Sequence, residues 1–441
     1  MKRISKITLI FSFVFVLVMS QFAYQPGEAK AESDLGLKAE AAIIIDGETG
    51  QIIYEKNADK VLGIASMSKM MTEYIVMESI KSGKITWDQK VKINEYVHNL
   101  SKAANLSNVG LTQGEDYTVK ELYEAMAVHS GNAATVALAE LVSGSEENFI
   151  KLMNKKANEL GLKNYKFVNS TGLSNKDLLG KYPAGTEDDE NVMTARDTAQ
   201  LAYRLINDYP EVLGHAKISK LKFRDGKEYP NYNWMLPGLI FEYEGVDGLK
   251  TGSTEFAGYA NTGTVIRDGQ RYITVVMKST SKNERFTDTT KLMNYAYGSF
   301  EKEEVLPAHY QVKGKDSLPV TKGKEDAVKV ESNKALDLVI PKDQKDNYKA
   351  KVVIDKKKLN KDGELEAPIK KGEKVGYITV ETKNGENYGY INGAAEKAGA
   401  VDLVAAETVE KSNWFVLTMR AVGGFFADVW GSTAAAVKGW F

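Results

Sequence analysis

Serine and lysine stand three residues apart in Ser66-Met67-Ser68-Lys69, within the stretch GIASMSKMMTEYIVMESIKSG. A serine hydroxyl is a weak nucleophile until a base takes its proton, and three residues along a helix put Lys69 on the face of Ser66, within reach of that proton. At a helix start the Ser66 N–H is also free of helical bonding, which suits a developing oxyanion. The pair alone says little. The same spacing recurs as Ser219/Lys222, Ser279/Lys282 and Ser299/Lys302, and serine at a helix start is commonly only a cap.

Its company is more informative. Ser130-Gly131-Asn132 falls between two helical patterns, where a turn can point two polar side chains into a cleft. Lys250-Thr251-Gly252 lies in GVDGLKTGST; Gly252 would let a substrate backbone lie against the strand edge, with Lys250 and Thr251 presenting a charge and a hydroxyl.

S-x-x-K, S-x-N and K-T-G thus occur in order, and this triple is the signature of penicillin-binding proteins and serine β-lactamases. The strings ASMSKMMT, HSGNAA and GVDGLKTGST resemble the low-molecular-weight penicillin-binding proteins that act as D-alanyl-D-alanine carboxypeptidases. The resemblance implies that Ser66 is acylated by the penultimate D-alanine carbonyl, that Lys69 is the general base and that Ser130 relays a proton to the leaving D-alanine. It implies that Asn132 holds the peptide amide, and that Lys250, Thr251 and Gly252, with Arg285 as a further candidate, bind substrate near its carboxylate. The backbone N–H groups of Ser66 and Ser253 would form the oxyanion hole. Burial and the Lys250 charge should hold Lys69 neutral in the free enzyme. No metal or cofactor is called for.

The elements that must position these residues can be read from periodicity. Ala41 to Ile45 and Gln51 to Glu55 read as a hairpin. Helical patterns cover Met67–Ile80, Val119–Val128, Ala133–Val142, Glu146–Leu160 and Ala195–Ile206, the last with Thr194 as N-cap. Strands return around the Asp268-Gly269 turn, and a last helix runs from about Asn283 to Phe300. This order predicts an α+β catalytic domain at 32–305, an antiparallel sheet with helices on both faces in the manner of the resembled family. Residues 306–410 alternate like short strands between charged turns and predict a small all-β domain. Its NKDGE has Lys358 where a calcium loop needs its first aspartate, so a hairpin turn is the better reading.

The two ends are different again. Lys2, Arg3 and Lys6 precede an apolar run from Ile7 to Met19 and then Ala29-Lys30-Ala31, the order of a secretory signal peptide spanning 1–31. In 411–441, Phe415, Met419, Val422, Phe426, Val429 and Val437 recur at helical spacing, and Trp414, Trp430 and Trp440 suit headgroup depth. An amphipathic helix in the membrane interface is expected, with the protein on the outer face of the cytoplasmic membrane and dimerisation through that helix left open.

Composition sets bounds. A net charge of -1 gives no support to nucleic acid binding, and the absence of cysteine excludes disulfides and thiolate chemistry. The four histidines show no metal-ligand spacing. Peptidoglycan pentapeptide is the expected substrate and β-lactams the expected covalent inhibitors. Three alternatives stay open: a D,D-endopeptidase on cross-linked muropeptides, a class A-like β-lactamase and a non-catalytic wall-binding module. The β-lactamase lacks support from Glu159-Leu160-Gly161-Leu162-Lys163, where E-x-x-L-N would be needed.

Overall fold

Ala41–Asp46 is apolar at every position but the last, and it forms a strand buried throughout, as befits a strand covered on both faces. The computed structural model, which describes residues 34–383, 389–391, 399–416, 418 and 419, pairs this strand, β1, with β2 at Ile52–Lys56. Three later strands, β3 (Val246–Thr254), β4 (Gly258–Arg267) and β5 (Gln270–Ser279), complete an antiparallel sheet of order β3-β4-β5-β1-β2. Asp268 and Gly269 have φ of 48° and 78°, the left-handed pair that a two-residue hairpin turn requires.

The helices are α1 (Lys69–Lys81), α2 (Glu95–Ser101), α3 (Val119–His129), α4 (Asn132–Ser143), α5 (Glu146–Glu159), α6 (Ala195–Asp208), α7 (Val212–Ala216) and α8 (Lys282–Ser299). Their starts are capped by side chains: Thr194 accepts from the Asp197 N–H, Ser281 from that of Glu284, and Thr118 forms a reciprocal capping box with Glu121. Successive strand residues point to opposite faces. Ile43, Ile45, Ile273, Val275 and Met277 join the large core built with α1 and α3–α6. Tyr272, next to Ile273 and so on the opposite face, sets its ring 4.9 Å from that of Tyr297 on α8. Helices therefore cover both faces of the sheet, as the resemblance implies.

One start differs from expectation. The chain makes a 3-10 turn at Ala65–Ser68 and the α-helix begins at Lys69, two residues after the predicted Met67. Residues i and i+3 eclipse in a 3-10 turn, which brings Ser66 and Lys69 into line more directly than an α-helix does.

Beyond α8 the chain is built of strands: β6 (Phe300–Leu306), β7 (Ser317–Thr321), β8 (Ala327–Ser332), β9 (Leu336–Pro341), β10 (Tyr348–Ile354), β11 (Leu365–Glu366), β12 (Lys374–Thr382) and β13 (Ala400–Ala405). β6 pairs with β9, and the rest form a sheet of order β10-β12-β13-β8-β7-β11 around a core of its own. The NKDGE segment is a turn tied by its own bonds, with Asn360 Oδ1 accepting from the Asp362 and Glu364 N–H groups. This β-domain grips the β1–β2 turn: Gln51 Nε2 donates to Val339 O, and the Ile391 N–H donates to Gly50 O. The predicted signal peptide lies outside the described residues, as does most of the predicted C-terminal helix. Its beginning is described: Asn413 Oδ1 accepts from the Val416 N–H, and Trp414 and Phe415 are exposed.

Candidate active site

The 3-10 turn that carries Ser66 is wedged between two glycines. A side chain at Gly252 would stand 2.5 Å from the Ile64 carbonyl oxygen, and one at Gly172 would stand 1.9 Å from that of Ala65. The first contact gives Gly252 a packing duty as well: the space its missing side chain leaves is filled by the Ser66 turn. Ala65 itself is left-handed at φ 45°, local strain that the close packing on both sides sustains. The turn's first bond runs from the Met67 N–H to Ile64 O, so the Ser66 amide precedes all helical bonding. Ser66 is not acting as a cap, since the turn's N-cap is Ile64 and α1 follows Ser68.

Lys69 has no exposed surface, whereas Lys222, Lys282 and Lys302 of the other S-x-x-K pairs are all exposed. Its Nζ lies 3.0 Å from Ser66 Oγ, 2.8 Å from Asn132 Oδ1 and 2.7 Å from Thr171 O. A neutral amine has two hydrogens and one lone pair. In that form the two carbonyl oxygens would take its hydrogens and leave the lone pair for the Ser66 hydroxyl. Burial is the main reason the Lys69 amine sits well below the ordinary lysine value; Lys250 adds to it and Glu73 opposes it.

Ser130 ends α3 in the left-handed region, φ 56°, and Asn132 opens α4, so a tight link turns both side chains toward the Ser66 turn. Lys250 Nζ donates to Ser130 Oγ at 3.0 Å. Burial, joined by Arg285 and opposed by Glu73, lowers Lys250 to about 8. Asn132 has structural duties the sequence does not advertise: it accepts from Lys69 and donates through Nδ2 to Ser107 O. Thr251 is buried beside Lys250, and Ser253 is exposed on β3, an edge strand whose alternate backbone groups face away from β4. Arg285, 4% exposed, does not line the cleft; its Nη1 donates to Gly252 O and Ala260 O, and burial holds it down to about 10.

An open cleft of about 700 Å³ borders Ser66, Asn132 and Ser253 and continues past Leu173 and Phe256. Sequence reasoning missed its opposite wall, Asn169–Asn175. There Asn169 Oδ1 accepts from the Thr171 and Gly172 N–H groups and from Thr171 Oγ1, and its Nδ2 donates to Leu173 O. That fixes the Thr171 carbonyl on Lys69. A run of small polar residues with one glycine, NSTGLSN, was the available signal.

Residues 28–281 match the family described as D-alanyl-D-alanine carboxypeptidase, and residues 300–411 match the C-terminal domain of penicillin-binding protein 5. The D-alanyl-D-alanine carboxypeptidase DacF of Bacillus subtilis is 33% identical over 372 residues, 84% of this chain and 88% of that protein. Among solved structures, penicillin-binding protein 3 of Streptococcus pneumoniae, titled a peptidoglycan synthesis regulatory factor, superposes with a TM-score of 0.70 at 33% identity, covering 84% of this chain and 99% of that one. Penicillin-binding protein D2 of Listeria monocytogenes, solved with ampicillin bound, covers 60% of this chain and 99% of its own at 34% identity and a TM-score of 0.51.

Proposed function

The chain belongs to the D-alanyl-D-alanine carboxypeptidase family, and from the geometry of its cleft we propose that it removes the terminal D-alanine of peptidoglycan pentapeptides through an acyl-enzyme on Ser66. The observation that carries this reading is the hydrogen-bonding of Lys69, whose two carbonyl partners leave its lone pair for the Ser66 hydroxyl.

Lys69 takes the Ser66 proton as Oγ bonds the penultimate D-alanine carbonyl carbon. The oxyanion lies against the N–H groups of Ser66 and Ser253. When the C–N bond breaks, Ser130 passes a proton to the leaving D-alanine amine, and the Lys250 ammonium 3.0 Å away holds the Ser130 hydroxyl in place. Water then cleaves the ester, and the stem leaves one residue shorter. Lys250 and Thr251 draw the terminal carboxylate, and Arg285 adds positive charge beneath the strand. Asn132 borders the peptide amide with the Nδ2 hydrogen that Ser107 does not use. A β-lactam presents the same carbonyl in a ring, so it acylates Ser66 and its leaving nitrogen stays tethered.

Signal-directed export, peripheral attachment to the outer face of the cytoplasmic membrane through residues 411–441 and pairing through that helix complete the proposal. Support comes from the leader pattern of 1–31 and from Trp414, Phe415 and Met419, exposed where the helix begins. Incubation of the full chain with a pentapeptide ending in D-alanyl-D-alanine should release free D-alanine, and Ser66→Ala should release none. Equal release by both would remove Ser66 from the reaction. Cleavage of cross-linked muropeptides alone would move the assignment to an endopeptidase.

A further inference from the structure

Helix α1 is apolar through MMTEYIVM except at Thr72 and Glu73, and Glu73 is 2% exposed. A buried carboxylate is costly unless something nearby requires its charge. Glu73 follows Lys69 by four residues and so lies one helical turn below it on the same face. Across from them, Tyr123 lies within α3 and Ser130 just past its C-terminal end. The two sides meet at both levels. At the cleft, Lys69 reaches Ser66 and crosses to Asn132, and Lys250 reaches Ser130. One level inward, the Tyr123 hydroxyl donates to Glu73 Oε2 at 3.3 Å.

We propose that Glu73 is the counter-charge shared by Lys69 and Lys250, a positioning residue that keeps one of the two amines protonated while the other serves as the base. One negative charge between two buried amines leaves the site holding a single excess proton. When Ser66 gives up its proton, Lys69 becomes an ammonium beside Lys250, and Glu73 is the buried anion that makes this second positive charge tolerable. No atom of Glu73 touches the substrate in this role.

The groups that face it are Lys69 on its own helix, Tyr123 on α3, Lys250 on β3 and His215 on α7. Behind Lys250 stands Arg285 on α8. His215 packs its ring 5.1 Å from that of Tyr123, and its Nδ1 lies 3.4 Å from Glu124. Burial raises the Glu73 carboxyl, and although Lys250, the Tyr123 hydrogen bond, His215 and Lys69 all oppose it, the group stays raised at about 7.

The inference rests on Ser66 and Lys69 acting as nucleophile and base, so the parent full chain is assayed first: no D-alanine release there would fail that reading, not this one. With an active parent, kcat/KM for the pentapeptide is followed against pH. Removing a negative charge lowers the proton affinity of both amines. Glu73→Gln should therefore move both limbs of the bell to lower pH, each by on the order of one unit, the effect of a buried unit charge a few ångströms away at an effective dielectric near ~20. A lower plateau with both limbs unmoved would mean that Glu73 only packs, and would overturn the proposal. Should Glu73→Gln not fold, Tyr123→Phe decides. Loss of the hydroxyl weakens the hold on the carboxylate charge, so the acid limb should move to lower pH, in the same direction as in Glu73→Gln but by less; an unmoved acid limb would again overturn it.

Discussion

Lys69 and Lys250 lie under the cleft at 0% and 3% exposure, while Lys322 and Lys351 stand on the β-domain with carboxylates at 2.8 and 3.0 Å. The side chain is the same in all four, and the surroundings decide what it can do. In the cleft, desolvation penalises the ammonium, and carbonyl and hydroxyl oxygens supply the partners. On the β-domain, water and a nearby carboxylate keep each ammonium solvated, and such pairs add little to stability. Lysine as a base is therefore a product of the fold around it, since the ordinary ammonium cannot accept a proton at neutral pH.

The sharpest way to break this contrast is to remove the amine itself. Lys69→Ala should lower both D-alanine release and acylation by a penicillin by about 1,000-fold, within the range expected of a general base. Loss confined to D-alanine release, with acylation unchanged, would assign Lys69 to the second half of the reaction.

Next in size is the packing that holds Lys69 in place. Gly172 has φ 79°, and a methyl group there would meet the Ala65 carbonyl oxygen at 1.9 Å. Gly172→Ala should cost roughly 3 kcal/mol or more of stability and about 10 °C in Tm, and should displace the Thr171 carbonyl from Lys69. An unchanged melting curve would show that the Asn169–Asn175 wall relaxes freely.

A smaller effect, read as pH dependence, separates the two buried amines. Lys250 is lowered to about 8, so its charge is complete below that pH and is lost as pH rises through it. As the charge goes, Ser130 loses its donor and the carboxylate its attraction. The alkaline limb of kcat/KM should therefore fall near pH 8, and Lys250→Gln should lose that limb along with activity. A limb that persists in Lys250→Gln would belong to another group.

How much of this was readable beforehand follows the distance over which each feature is encoded. Ser66/Lys69, Ser130/Asn132 and Lys250/Thr251 are local motifs whose residue types carry their chemistry, so their order already pointed to one cleft. The hairpin at Asp268-Gly269 and the Thr194 cap are equally local. Thr171 acts through a backbone carbonyl 102 residues from Lys69, and a carbonyl has no residue type to recognise. The packing role of Gly252 escaped because a glycine beside a substrate strand and a glycine beside a packed turn look alike until the turn is seen. The 3-10 start of α1 escaped because periodicity cannot separate the first four residues of the two helix types. Glu73 left a legible trace, a lone acid in the apolar stretch MMTEYIVM, although its partners could be named only once α3 and β3 were in place.

The least expected change lies on the far side of the comparison. Lys322 is largely in solvent with Glu366 at 2.8 Å, and the pair lowers the Glu366 carboxyl through a hydrogen bond that water can replace. Lys322→Ala should leave Tm, D-alanine release and penicillin acylation within error of the parent at moderate salt. The same substitution, lysine to alanine, would then range from a loss of about 1,000-fold at Lys69 to silence at Lys322. A clear loss of activity at Lys322 would mean that the β-domain does more than carry the cleft, because a solvated pair on a separate core has no electrostatic route to Ser66.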